Sequence, residues 1–231
     1  MFIVRFFQSG GLFMFPILLV LLVGLAIAVE RWVHLKKVKE SNKNLWDSIY
    51  PNLEQGEFDK AREIANNDTS SMAQMLSMGL ARQGAVRRRE DIEIAMEESM
   101  MEIVPQLEKR TPYLALLSNV ATLFGLLGTI MGLIHAFAAV ATASPAEKAA
   151  LLAASISEAM NCTAFGLMSA IPLLLLHARL TTNTSQIVNS LEMAAVKALN
   201  AVSSFTKRQF DRATILTTAD VTGGEHVKAT S

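Results

Sequence analysis

The chain has 231 residues, 51% of them hydrophobic and only 18% charged, with 21 basic and 21 acidic side chains. That apolar content excludes an intrinsically disordered chain, and the balanced charge offers no overall basic field for nucleic acid. A single cysteine, Cys162, excludes a disulfide scaffold.

The charges are unevenly placed, so the apolar runs come first. Between Arg5 and Glu30 lie 24 uncharged residues. A hydrocarbon core about 30 Å thick needs ~20 apolar residues of helix. Residues 1–33 therefore read as an N-terminal segment with a first transmembrane helix. Ala26-Ile27-Ala28 resembles a signal-peptide cleavage site. The flanks argue against cleavage, because signal peptides carry their positive charge before the apolar core. Here Arg31, Lys36, Lys37 and Lys39 follow it.

Residues 34–110 predict a helical region outside the bilayer. Short helices are expected over 45–83, broken near Tyr50-Pro51, Gln55-Gly56 and Asn66-Asn67-Asp68. From Arg89 to Leu107, Ile92, Met96, Met100, Ile103 and Leu107 recur at helical spacing. Pro105 and Pro112 are placed to kink one long helix or to separate two.

The second transmembrane helix is expected over 111–141, within 36 uncharged residues between Arg110 and Glu147. Ser118, Thr122, Gly125, Thr129, Gly132 and Ala136 fall on one face, and Gly128 with Gly132 forms a GxxxG pair. Small residues let helix backbones approach closely in lipid. The stripe is open to two readings: helix packing with hydroxyls bonded back to their own helix, or a polar path. His135 lies off the stripe.

A loop is expected over 142–154 and a third transmembrane helix over 155–178. Its only formal charge is Glu158, which shares a face with Ser155, Cys162 and Ser169, with Asn161 one turn away. An intramembrane carboxylate is costly and points to function. A site near the outer headgroups is the alternative. Thr163 is roughly 140° from Glu158 around an ideal helix. Beyond it, residues 179–212 predict a helix with Ile187, Leu191, Ala195, Leu199 and Val202 in register, and 213–231 read as a disordered tail.

Orientation follows from charge. With the N-terminus outside and 34–110 and 179–231 in the cytoplasm, 19 of the 21 Lys and Arg side chains are internal. Chemical motifs are absent. Gly125 to Gly132 lacks the lysine of a phosphate loop, and no HExxH, CxxC or G-x-S-x-G occurs. No metal, cofactor or nucleophile–base cluster is implied.

The runs Gly125-Leu126-Leu127-Gly128-Thr129-Ile130-Met131-Gly132, Ile156 through Leu167, and Ala170-Ile171-Pro172 resemble the signature of the MotA/TolQ/ExbB proton-channel family, most closely its ExbB and TolQ branch. The resemblance covers about residues 112–178. It implies an all-α membrane protein with three transmembrane helices and long cytoplasmic helical extensions, assembling as a homo-pentameric ring in the bacterial inner membrane. Two copies of a single-span partner resembling ExbD or TolR would occupy the pore, and the partner's aspartate would carry the proton. Thr129 and Thr163 match the family's pore threonines, and Glu158 its glutamate. Ser118 and Thr122 would extend the polar wall, while Gly125, Gly128, Gly132 and Gly166 would pack helices. Work would pass to a TonB- or TolA-like protein, with TonB-dependent import expected first and Tol-type envelope maintenance as the alternative. His177-Ala178-Arg179, Asn161 and Cys162 depart from the family pattern. A passive membrane scaffold remains the competing reading.

Overall fold

The computed structural model describes residues 10–82 and 89–225, with side chains up to Phe205 and at Arg208. Arg5 and residues 226–231 lie outside that range. Six helices follow in order: α1 Met14–Gln55, α2 Phe58–Asn66, α3 Ser71–Arg82, α4 Arg89–Glu108, α5 Thr111–Thr142 and α6 Lys148–Glu225. The described residues contain no strand. Three helical stretches, in α1, α5 and α6, are long and apolar enough to cross a membrane. The chain is an all-α, multi-pass membrane protein.

Contacts divide the chain into two units. The first holds the residues up to Leu35 with Glu108–Ser185 and contains the apolar stretches. Its core joins Ile17 and Val20 of α1, Ala121 of α5, and Cys162 and Ala170 of α6, with Phe13, Phe124 and Phe165 packed against them. Gly24 of α1 is buried against Leu173 of α6. Only 17% of the most apolar window of the α4–α5 stretch is buried within the chain, against 33% for the windows of the other two. Leu116, Leu123, Ile130 and Phe137 face outward on α5. Those faces require lipid or another polypeptide.

The second unit comprises Lys36–Leu107 and the chain from Gln186 onward. Here the helical spacing becomes burial. Ile92, Met96, Ile103 and Leu107 of α4 are buried, with Met100 half-buried, and so are Ile187, Leu191, Ala195, Leu199 and Val202 of α6. The hydroxyl of Ser70 accepts the Ala73 N–H at 3.2 Å, which caps α3. Two of the three expected breaks occur. α1 ends before Gly56, which has φ +78°, and α2 ends at Asn66.

The break at Tyr50-Pro51 does not occur, and α1 runs through Pro51. A mid-helix proline costs ~3 kcal/mol. The buried ladder Leu45, Ile49 and Leu53 spans that point on the opposite side of an exposed Pro51, so packing outweighs the lost bond. Pro105 is likewise inside α4. Separation of α4 from α5 comes at Arg110, which takes a left-handed φ of 66°, with Pro112 in the first turn of α5.

Two other boundaries differ from the sequence expectation. The stretch 148–154, expected as loop, is the first two turns of α6. Ser144 begins this helix: its carbonyl accepts the Glu147 and Lys148 N–H groups at 3.0 and 3.2 Å, and its hydroxyl donates to Glu147 at 2.6 Å. The alanine-rich run after Lys148 then propagates at low cost. Helix α6 also continues to Glu225, past the expected boundary at 212. Extending a formed helix needs no new nucleus.

Gly56 gives a stability test. A methyl group there would meet the Phe205 ring, and the left-handed backbone disfavours any L side chain by about 1–2 kcal/mol. Gly56→Ala is expected to lower the melting temperature of the detergent-solubilised protein. An unchanged melting temperature would contradict this account of the turn.

Candidate functional site at the seam of two apolar helices

The small-residue stripe of α5 meets α6 along a tight seam. A methyl group built on Gly166 would lie 2.9 Å from the Ala121 carbonyl oxygen and 3.0 Å from the Gly125 Cα. One on Gly125 would lie 3.3 Å from both the Gly166 and Thr163 Cα atoms. These obstacles are backbone, so the helices approach as closely as glycine permits. Further along the seam, Gly128 abuts the Cys162 sulfur, and Gly132 faces Ala159. Gly125, Gly128, Gly132 and Gly166 thus sit where two helices touch, and Cys162 fills the space beside Gly128.

That approach brings two threonines together. Thr129 Oγ1 of α5 and Thr163 Oγ1 of α6 are 2.5 Å apart. Both also reach the Gly125 carbonyl oxygen, Thr129 at 3.1 Å and Thr163 at 2.9 Å. Two hydroxyls hold two protons, whereas three contacts are available. If Thr129 donates to Thr163 and Thr163 donates to Gly125, then Thr129 keeps acceptor lone pairs for an outside donor. Turning one hydroxyl outward makes the same pair a donor to an outside acceptor. Both side chains are half-buried in the single chain.

The other hydroxyls of the stripe have different places. Ser118 is buried, and its hydroxyl donates across the seam to the Ala170 carbonyl at 2.8 Å. It ties the helices together one turn from Gly166. Thr122 is exposed and donates to the Ser118 carbonyl of its own helix at 3.2 Å. Ser118 and the glycines pack, Thr122 and Thr129 bond back to carbonyls of their own helix, and Thr129 also pairs with Thr163.

Glu158 does not join the threonine pair. It is exposed, and its carboxylate lies against the backbone of Gly11, which has φ +75°, just before α1. The angular offset of Thr163 from Glu158 explains the separation: Thr163 turns into the seam, while Glu158 turns toward the start of α1. His135 is exposed on α5, and Asn161 is half-buried on α6. Ser169 is buried, and its hydroxyl has no hydrogen-bond partner. Among the described residues no group of His, Cys, Asp and Glu is arranged to hold a metal.

Sequence reasoning missed two features. The Gly125 carbonyl is the shared acceptor of both threonines, and a backbone atom leaves no mark in a side-chain pattern. Gly11 neighbours Glu158 although 147 positions separate them, and no periodicity links them.

At the end of the first unit's apolar region, Arg110 Nη1 lies 2.8 Å from Glu30 Oε2. Both side chains are about half exposed, so solvent screens the pair and its contribution is small. It holds the start of α5 beside α1.

Residues 67–193 match the pattern of the MotA/TolQ/ExbB proton channel family. The chain is 38% identical over 93 residues to the Tol-Pal system protein TolQ of Haemophilus influenzae, covering 40% of each chain. It is 30% identical over 187 residues to a biopolymer transport protein of Synechocystis named ExbB-like 1, covering 78% of this chain and 71% of that one. With the biopolymer transport protein ExbB of Neisseria gonorrhoeae it shares 28% identity over 162 residues, covering 68% and 69%. The match to the Haemophilus protein thus spans well under half of that chain.

The seam predicts an order of sensitivity. Gly166→Ala places its methyl group against backbone, whereas Gly132→Ala meets chiefly the Ala159 methyl group at 2.8 Å. Gly166→Ala is expected to lower thermal stability in detergent more than Gly132→Ala does. The reverse order would show that the closest approach lies elsewhere.

Proposed function

The chain belongs to the MotA/TolQ/ExbB proton channel family, and we propose that it is the ring-forming subunit of an inner-membrane motor of the ExbB and TolQ branch. Several copies, five by the family resemblance, surround two single-span partners resembling ExbD or TolR. The N-terminus is periplasmic, and the second unit and the C-terminus are cytoplasmic. The positive-inside distribution of Lys and Arg supports this orientation. The chain does no covalent chemistry of its own.

The paired threonines of α5 and α6 carry the proposal. Within the membrane helices the chain has no Asp, Lys or Arg at mid-depth that alternates protonation alone. By the family resemblance, the titrating acid comes from the partner. The Thr129–Thr163 pair provides a wall that accepts from a protonated acid and donates to an ionised one, without becoming charged. One proton crossing 100 mV releases about 2.3 kcal/mol. A few protons per step supply enough free energy to turn a ring against its core. Thr122, exposed on the same stripe, extends the wall, and Glu158 lies at the periplasmic end of α6 as an entry group.

The output we favour is TonB-type import across the outer envelope. The two ExbB-named relatives above align over 78% and 68% of this chain, which supports that choice. Tol-type envelope maintenance is the second reading, favoured by the 38% identity to TolQ over the shorter segment. Deleting the gene distinguishes them: loss of energy-dependent uptake of iron complexes supports import, and detergent sensitivity with normal uptake supports the Tol reading.

Thr129→Val and Thr163→Val keep side-chain shape and remove only the hydroxyl, a change of about 1 kcal/mol in folding terms. Each is expected to abolish proton-driven work while the complex still assembles, as checked by co-purification with the partner. Wild-type activity in both variants would defeat the pore-wall assignment. Glu158→Ala is expected to reduce proton-coupled activity severely. Near-normal activity in that variant would return Glu158 to a headgroup position without a role in the pathway.

A further inference from the structure

Two faces of the second unit, on opposite flanks of α6, carry opposite charge. The first is a groove of about 580 Å³ between α4 and α6. Its lining is largely apolar, and Met101 and Val196 within it are 75% and 53% exposed. Three carboxylates border it, Glu93 and Glu97 from α4 and Glu192 from α6, and no Lys or Arg belongs to its wall. Glu93 and Glu97 are one turn apart, where like charges repel. Among the described residues none of the three forms an ion pair.

The second face is a shallow cavity of about 260 Å³ between α1, α3 and α6. Lys39 and Lys43 of α1 and Lys197 of α6 line it together with Trp46 and Met193, and no carboxylate belongs to its wall. Lys39 Nζ donates to Gln186 Oε1 at 3.2 Å. Lys197 Nζ lies 5.9 Å from the Trp46 ring centre and 5.5 Å from that of Tyr50, so two of the three ammonium groups are held in place. Met193 is 58% exposed. Each face thus has an apolar centre with exposed methionine and a charged border of one sign, which is the anatomy of a protein interface.

The positions on α6 say what kind of interface. Glu192, Ala195, Val196 and Leu199 serve the acidic groove, while Gln186, Ser190, Met193, Ala194 and Lys197 serve the basic face. Around an ideal helix the mean directions of the two sets differ by roughly 150°. Along the helix the two sets overlap, so the faces stand at one level. A face of a single sign rejects a second copy of itself and attracts the other. A two-fold dimer needs one self-complementary patch, whereas two different complementary patches join copies head to tail. Placed at one level on opposite flanks, they let copies follow one another around an axis parallel to α6 without a step along it, so the chain of contacts closes into a ring.

We propose that the acidic groove of α4 and α6 in one copy receives the Lys39, Lys43 and Lys197 face of the next copy. This rests on the ring of identical subunits proposed above and assigns the surfaces through which the second units join.

The experiment co-expresses two differently tagged forms of the full chain with the products of neighbouring genes. One form carries Met101→Cys and the other Met193→Cys. Cys162 is buried, and the unsubstituted chain is the control. A short thiol-to-thiol crosslinker is expected to join unlike forms, with neither form joining to itself. Glu93→Lys with Glu97→Lys in both forms is expected to lower the yield roughly tenfold, and adding Lys39→Glu with Lys43→Glu to restore it. Self-joined products of either form, joining of the Met101→Cys form to a single-span partner instead, or a yield indifferent to charge reversal would overturn the interface. Native mass measurement of the same samples separates the two levels. A ring in which unlike forms do not join overturns this interface alone, whereas a monomeric chain overturns the ring as well.

Discussion

The contact on which the rest depends is the approach of Gly125 to Gly166. Two glycines without Cβ atoms let α5 and α6 come together until backbone meets backbone. Only at that separation can a Thr163 hydroxyl on one helix reach the Gly125 carbonyl on the other. Lipid gives no hydrophobic drive for the helices to associate, so close dispersion contact and interhelical hydrogen bonds must supply it. Ser118 donating to the Ala170 carbonyl adds a buried bond across the same seam. The threonine pair is thus a consequence of packing, which is why the stripe could be read from sequence as either structure or pathway.

A second constraint is what the first unit leaves uncovered. Its three apolar stretches bury a third or less of their most apolar windows inside one chain. Lipid satisfies some of this surface. The half-buried threonines are a different case, because hydroxyls facing hydrocarbon are costly unless bonded. They satisfy each other through Gly125 in the isolated chain and keep spare acceptor capacity. A pair of that kind suits a wall that must accommodate an acid in either protonation state. In the proposed ring it would be repeated in every subunit, so that a titrating partner moves between equivalent stations.

Much of the fold was legible because lipid imposes simple rules. Three runs with little or no charge became three apolar helices, and the spacing of Ile92, Met96, Ile103 and Leu107 became a buried face. The glycine stripe announced the seam, and the family resemblance singled out Thr129 and Thr163, which the structure places in contact. The failures were local. Pro51 signals a break on propensity, but the buried ladder through Leu45, Ile49 and Leu53 overrides it. The sequence Ser144-Pro145-Ala146-Glu147 held a capping signal that would have started α6 at Lys148 instead of 155. Other features are tertiary and were out of reach. Glu158 against Gly11, and Lys197 over the Trp46 and Tyr50 rings, arise only when distant segments are brought together.

The claim at the centre is that this chain encloses an acid it does not itself possess. Mass measurement of the intact complex, purified from native membranes with the products of neighbouring genes, tests it most directly. The account predicts a ring of identical subunits retaining a single-span polypeptide whose membrane segment holds an aspartate. An assembly of this chain alone, its centre filled by lipid or sealed by its own helices under every condition that preserves activity, would contradict it.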